Sequence, residues 1–87
     1  RIPAWASSFT VSPNPASGRA EVFFSAADAR SYTLSLRDVS GSLLREWPAG
    51  WAGEGPLRLE LGGLPAGLYF LQLQGPQGVA VRKLVKK

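Results

Sequence analysis

The chain contains no cysteine, no histidine and no methionine. Without cysteine it can form no disulfide, no thiolate metal site and no thiol nucleophile. That absence does not by itself assign a redox compartment. Without histidine it lacks the commonest general base near neutral pH. The serines have no plausible activating partner. The six acidic residues stand singly, on different strands and turns, so no carboxylate pair is suggested for acid–base work. No Asp-rich loop is available to build an all-oxygen metal site. These gaps argue against catalysis, against a metal and against a cofactor. No run of about 18 apolar residues occurs, so no segment is suited to span a bilayer as a helix.

With 87 residues the chain has room for one small domain and one core. It opens at Arg1 without an initiating methionine or a signal peptide, and so reads as a piece of a longer protein that continues upstream. Its charge is unevenly placed. Arg82-Lys83-Leu84-Val85-Lys86-Lys87 carries four basic groups, which equals the whole net charge of +4. Elsewhere basic and acidic residues balance, and most stand close together: Arg19 with Glu21, Arg37 with Asp38, Arg45 with Glu46, Arg58 with Glu60. Nucleic-acid binding needs unpaired basic clusters over a face, and this distribution argues against it.

Helical periodicity is missing, and ten glycines with seven prolines punctuate the chain at short intervals. Between them lie runs of period two. Ala20, Val22 and Phe24 alternate with Glu21 and Phe23; Tyr32, Leu34 and Leu36 with Thr33, Ser35 and Arg37; Leu57, Leu59 and Leu61 with Arg58 and Glu60. The run from Leu68 to Leu73 is apolar at nearly every position, which predicts a central strand covered on both faces. Leu43 to Trp47, Val79 to Val85 and a short opening strand near Phe9 to Val11 complete the set. Asp38-Val39-Ser40-Gly41 has type I turn chemistry and predicts a hairpin between Tyr32–Arg37 and Leu43–Trp47. Gly75-Pro76-Gln77-Gly78 predicts a second hairpin, joining the last two strands. Pro13-Asn14-Pro15 cannot lie inside a ladder and predicts a rigid bend. The fold class is therefore all-β, an immunoglobulin-like antiparallel sandwich of about seven short strands. Residues 1–8, with Pro3 and small residues, read as linker, and 9–87 as the domain.

Three features invite a functional reading. Trp47 and Trp51 flank Pro48-Ala49-Gly50 and could stack on sugar rings, although a large residue closing a core edge reads more simply as structural. Gly67 would supply a backbone geometry or close contact that a side chain would block. Tyr69 would bury its ring and keep its hydroxyl bonded at the sandwich corner. The lysines at the terminus either protect a sheet edge or form a signal. Alternation there is imperfect: Val79, Val81 and Val85 share a face with Lys83, while Leu84 shares the other with Arg82 and Lys86. The inward face stays open, and so does self-association.

Four motifs come in a telling order: Ser12-Pro13-Asn14-Pro15-Ala16, Leu34-Ser35-Leu36-Arg37-Asp38-Val39-Ser40-Gly41, Leu64-Pro65-Ala66-Gly67-Leu68-Tyr69-Phe70-Leu71, and Lys83-Leu84-Val85-Lys86. The series resembles the C-terminal sorting domain of the type IX secretion system, also called the Por secretion tail, over about Phe9 to Lys87. Ser12 departs from it, since the family often has an aromatic residue before Pro-Asn-Pro.

The resemblance implies a non-catalytic sorting signal at the end of an exported cargo. The cargo would reach the periplasm first, and outer-membrane machinery would then recognise the folded tail. A surface sortase would cut at or before residues 1–8, leaving the cargo at the cell surface or outside. Lys83, Leu84, Val85, Lys86 and Lys87, with Gly67 and Tyr69 holding the last hairpin, are the expected export signal. Pro13, Asn14, Pro15, Asp38 and Gly41 are the expected structural positions. A carbohydrate-binding module using Trp47 and Trp51, or an inert fibronectin-like spacer, are the alternatives.

Overall fold

Alternating apolar residues give strands with one dry face, and two such sheets must cover each other. A computed structural model of the chain describes residues 8–25, 31–48, 56–76 and 78–87. Seven strands follow in order: β1 Thr10–Ser12, β2 Arg19–Phe23, β3 Thr33–Asp38, β4 Leu43–Trp47, β5 Leu57–Glu60, β6 Gly67–Gly75 and β7 Gly78–Lys86. They form two antiparallel sheets, ordered β1-β2-β5 and β4-β3-β6-β7. The expected all-β sandwich of seven short strands is what the sequence builds.

The period-two residues meet in the middle. Phe9, Ala20, Val22, Leu59 and Leu61 come from the smaller sheet and its flanks; Leu34, Leu36, Tyr69, Leu71, Leu73, Ala80 and Leu84 come from the larger. Each leucine fully buried here contributes roughly 1.5–3 kcal/mol. Phe9, Phe24 and Tyr32 close one part of this core in edge-to-face contacts, with ring centroids 6.4 and 5.1 Å apart. Gly75 lies against that cluster, where a Cβ would overlap the Tyr32 ring. The close approach that needs a glycine is thus at Gly75. Gly67 has no atom within 4 Å of its Cβ position and is used for its backbone angle, φ +154°.

The run from Leu68 to Leu73 departs from expectation in one respect. β6 is central, flanked by β3 and β7, but only one face is dry. Tyr69, Leu71 and Leu73 are buried, whereas Phe70 and Gln72 are half-buried and Leu68 is exposed. The smaller sheet covers the first set, and among the described residues no second layer covers the other.

Both hairpins form. Gly75 pairs with Gly78 across the second turn, and Gln77 lies outside the described residues. In the first, the Gly41 N–H donates to the Asp38 carbonyl at 3.0 Å, with Gly41 at φ +89°. The Asp38 carboxylate accepts from the Ser40 hydroxyl (2.6 Å), the Ser40 N–H (2.9 Å) and the Ser42 N–H (3.0 Å). The Ser40 hydroxyl foremost, then these backbone donors, hold its carboxyl below the usual 3.8. A carboxyl depressed on folding adds stability that is complete above its unfolded pKa and lost as pH falls through its folded one. Stability is therefore expected to decline below pH 3.8, and Asp38→Asn should flatten that decline in acid unfolding curves.

Candidate functional site

β7 is an edge strand, paired with β6 from Gly78 to Lys86. Its Ala80 and Leu84 are buried, while Val79, Val81 and Lys83 are exposed. The even-numbered residues therefore face inward, which the alternation had left undecided. Gly67 lies opposite Lys86, Tyr69 opposite Leu84, Phe70 opposite Lys83 and Leu68 opposite Val85. The expected signal residues thus share one two-stranded ribbon, with Lys87 at its tip.

Their environments differ sharply. Leu84 is fully buried and its side chain belongs to the core. Lys83 and Lys87 are exposed, and the half-buried Lys86 donates its Nζ to the Lys87 carbonyl at 3.1 Å. Among the described residues no carboxylate pairs with these lysines; the ion pairs there are Arg19–Glu60 (3.9 Å) and Arg58–Glu21 (3.7 Å). Those two run across the β2–β5 seam, on the solvated outer face of the smaller sheet, and contribute little. Arg82 is a different case. Its Nε donates to the Phe9 carbonyl at 2.9 Å, its Nη1 to the Val81 carbonyl at 3.0 Å, and its guanidinium sits 5.3 Å from the Phe9 ring centre. It staples β7 to the approach into β1.

The Pro-Asn-Pro bend has a role that sequence reasoning missed. Pro13 and Pro15 have no N–H to offer, and both prolyl bonds are cis. Asn14 between them lies along the outer edge of β7. Its Nδ2 donates to the Lys83 carbonyl at 2.7 Å, and the Val85 N–H donates to its Oδ1 at 3.0 Å. Ala16 continues the seam: its N–H donates to the Val85 carbonyl (2.8 Å), and its carbonyl accepts from the Lys87 N–H (2.7 Å). One side-chain amide, carrying both donor and acceptor, stands in for a residue of a neighbouring strand. An asparagine between two residues without N–H groups is the signal that could have revealed this clamp.

At the far side of the ribbon Tyr69 is buried, and its hydroxyl donates to the Pro65 carbonyl at 2.6 Å. A tyrosine near the start of this strand, bonded back a few residues upstream, is the tyrosine corner of immunoglobulin-like sandwiches. Asp38 is in register with Tyr69, so the first turn lies at the same end of the sheet. Trp47 is partly buried against the core, which favours its structural reading. Trp51 lies outside the described residues, so they present no paired indole platform. Arg45 reaches across from β4 to the Glu60 carbonyl on β5.

A family model described as the secretion system C-terminal sorting domain matches residues 10–87. No curated protein matches the chain. The matched span begins at β1, ends beyond β7 and takes in the clamp, the corner and the ribbon. The chain therefore belongs to the family of type IX secretion C-terminal sorting domains.

Proposed function

We propose that this domain is a non-catalytic export label whose β6–β7 ribbon is read by the outer-membrane machinery, after which a surface sortase removes it. Family membership supports the coarser statement, a sorting signal for type IX secretion to the cell surface or beyond. The finer reading rests on one observation: Lys83, Lys86 and Lys87 project from an edge strand with no carboxylate partner among the described residues. Unpaired cations at an accessible rim steer an acidic partner into contact. Gly67, Tyr69, Leu84 and Val85 set the shape of the ribbon that carries them. In this reading the cargo crosses the periplasm first, and residues 1–8 are the linker in which the sortase cuts.

The test uses a fluorescent passenger fused before Arg1 in a type IX-competent host. The triple variant Lys83→Ala, Lys86→Ala and Lys87→Ala is expected to lower surface passenger roughly tenfold or more, since rim charges act chiefly on encounter. Its melting temperature should stay close to the parent's, because none of the three ammonium groups enters the core. Undiminished export by the triple variant would refute the reading.

A further inference from the structure

The four bonds that close the end of β7 also fix which of its main-chain groups point away from β6. Those bonds use the Lys83 carbonyl, both groups of Val85 and the Lys87 N–H, all on odd-numbered residues. In an antiparallel ladder such residues alternate with those bonded to the partner strand, so the even-numbered residues hold β6. The N–H and C=O groups of Val79, Val81 and Lys83 therefore also point outward. Arg82 Nη1 takes the Val81 carbonyl and Asn14 the Lys83 carbonyl. Four groups remain without a partner among the described residues: the Val79 N–H and carbonyl, the Val81 N–H and the Lys83 N–H. Among the described residues the edge is sealed from the Lys83 carbonyl onward and open before it.

That open stretch has the character of a docking strand. Val79 and Val81 are 45% and 48% exposed, and no proline interrupts them. Lys83 stands exposed at its end, with no carboxylate partner among the described residues. An edge with free main-chain groups, apolar alternate residues and one charge is open to strand addition. A second copy of the chain suits it poorly, because antiparallel pairing about Val81 would set Val79 of the other copy across from Lys83 and offer its ammonium group no carboxylate. We infer that the β7 edge from Val79 to Lys83 accepts an extended segment of a partner protein, apolar across from Val79 and Val81 and carrying a carboxylate across from Lys83. The inference rests on reading the ribbon as the recognised part of the label. It makes Asn14 the stop that sets the register, since an added strand cannot pass the Lys83 carbonyl.

The experiment titrates the full chain with a short capped peptide, Glu-Thr-Val-Thr-Val, whose alternate residues carry the carboxylate and the two apolar groups on one face, and with its lysine-for-glutamate counterpart, following backbone amides by NMR. The glutamate peptide should shift the amides of Val79, Val81 and Lys83 and slow their exchange. The lysine peptide should bind roughly tenfold more weakly, because a like charge then faces Lys83. Val81→Pro deletes an outward N–H and spares the β6 ladder, so binding should fall at least about tenfold with melting unchanged. Lys83→Glu should reverse the preference between the peptides. Shifts confined to β4, binding that survives Val81→Pro, or no binding of either peptide would each overturn the inference. If Val81→Pro lowers the melting temperature, the reversal by Lys83→Glu decides, and its absence overturns the inference. The passenger assay separates the two proposals. Full export of Val81→Pro beside retention of the triple lysine variant would remove this edge and leave the sorting role of the lysines standing.

Discussion

Leu84→Ala is expected to destabilise the domain by about 2–5 kcal/mol, although it lies between the lysines of the tail and leaves every one of them in place. Leu84 is fully buried and packs in the single core formed by both sheets. Shortening it removes apolar contact and leaves a void that neighbours from two sheets can fill only in part. Domains of this size are stable by only roughly 5–10 kcal/mol, so much of the reserve would go. A urea titration reads the effect as a lower midpoint at unchanged slope. A midpoint within error of the parent would show that β7 does not anchor the core as described. The same residue bears on how truncations are read. Deleting Val81 to Lys87 should leave cargo in the periplasm, but it also removes Leu84, the Arg82 staple and the groups that Asn14 holds. Such a deletion reports on folding and recognition together, whereas the lysine substitutions isolate the charge.

Asn14→Ala is the second large effect, and it is local. Two hydrogen bonds disappear, each contributing about 0.5–1.5 kcal/mol net, while the core is left intact. Fraying should therefore concentrate where the clamp acted. Amide exchange at Val85 and Lys87 is expected to quicken by roughly tenfold or more, while the amides of Leu34 and Leu71 keep their protection. Asn14→Asp keeps an acceptor for the Val85 N–H but no donor for the Lys83 carbonyl, and should fall between. Unchanged exchange at Val85 in the alanine variant would show that the proline-flanked bend does not hold the edge.

The strands were legible because their apolar residues recur every second position and their turns carry recognisable chemistry. Asp38 to Gly41 specified its own hairpin through a carboxylate, a hydroxyl and a positive φ, all local features. Tyr69 was legible for a similar reason, since its partner Pro65 is four residues away. What escaped reading depends on contacts between distant parts of the chain. The inward face of β7 could not be chosen from composition, because the outward face carries the valines and the inward one only Ala80 and Leu84 as apolar groups. Arg82 looked like one more charge of the terminal cluster, yet the Phe9 ring and carbonyl, 73 positions earlier in the chain, make it a packing residue. Likewise the flanking prolines mark Asn14 as unusual, but its partners Lys83 and Val85, 69 and 71 positions away, are set only by the fold. The cross-strand pairing of Arg19 with Glu60 and Arg58 with Glu21, in place of neighbours along one strand, needed the β2–β5 register.

The contacts that finish the ribbon join opposite ends of the domain. Arg82 and Phe9 are 73 positions apart, Asn14 and Lys83 are 69 apart, and Val85 and Asn14 are 71 apart. Closure over such distances carries an entropy cost that local structure cannot offset in advance, so these bonds wait for the final strand. A polypeptide released early from the ribosome would leave β6 bare and the asparagine amide with nothing to grip. The domain is complete only once β7 has been made and docked, so its first bend and its final strand depend on each other.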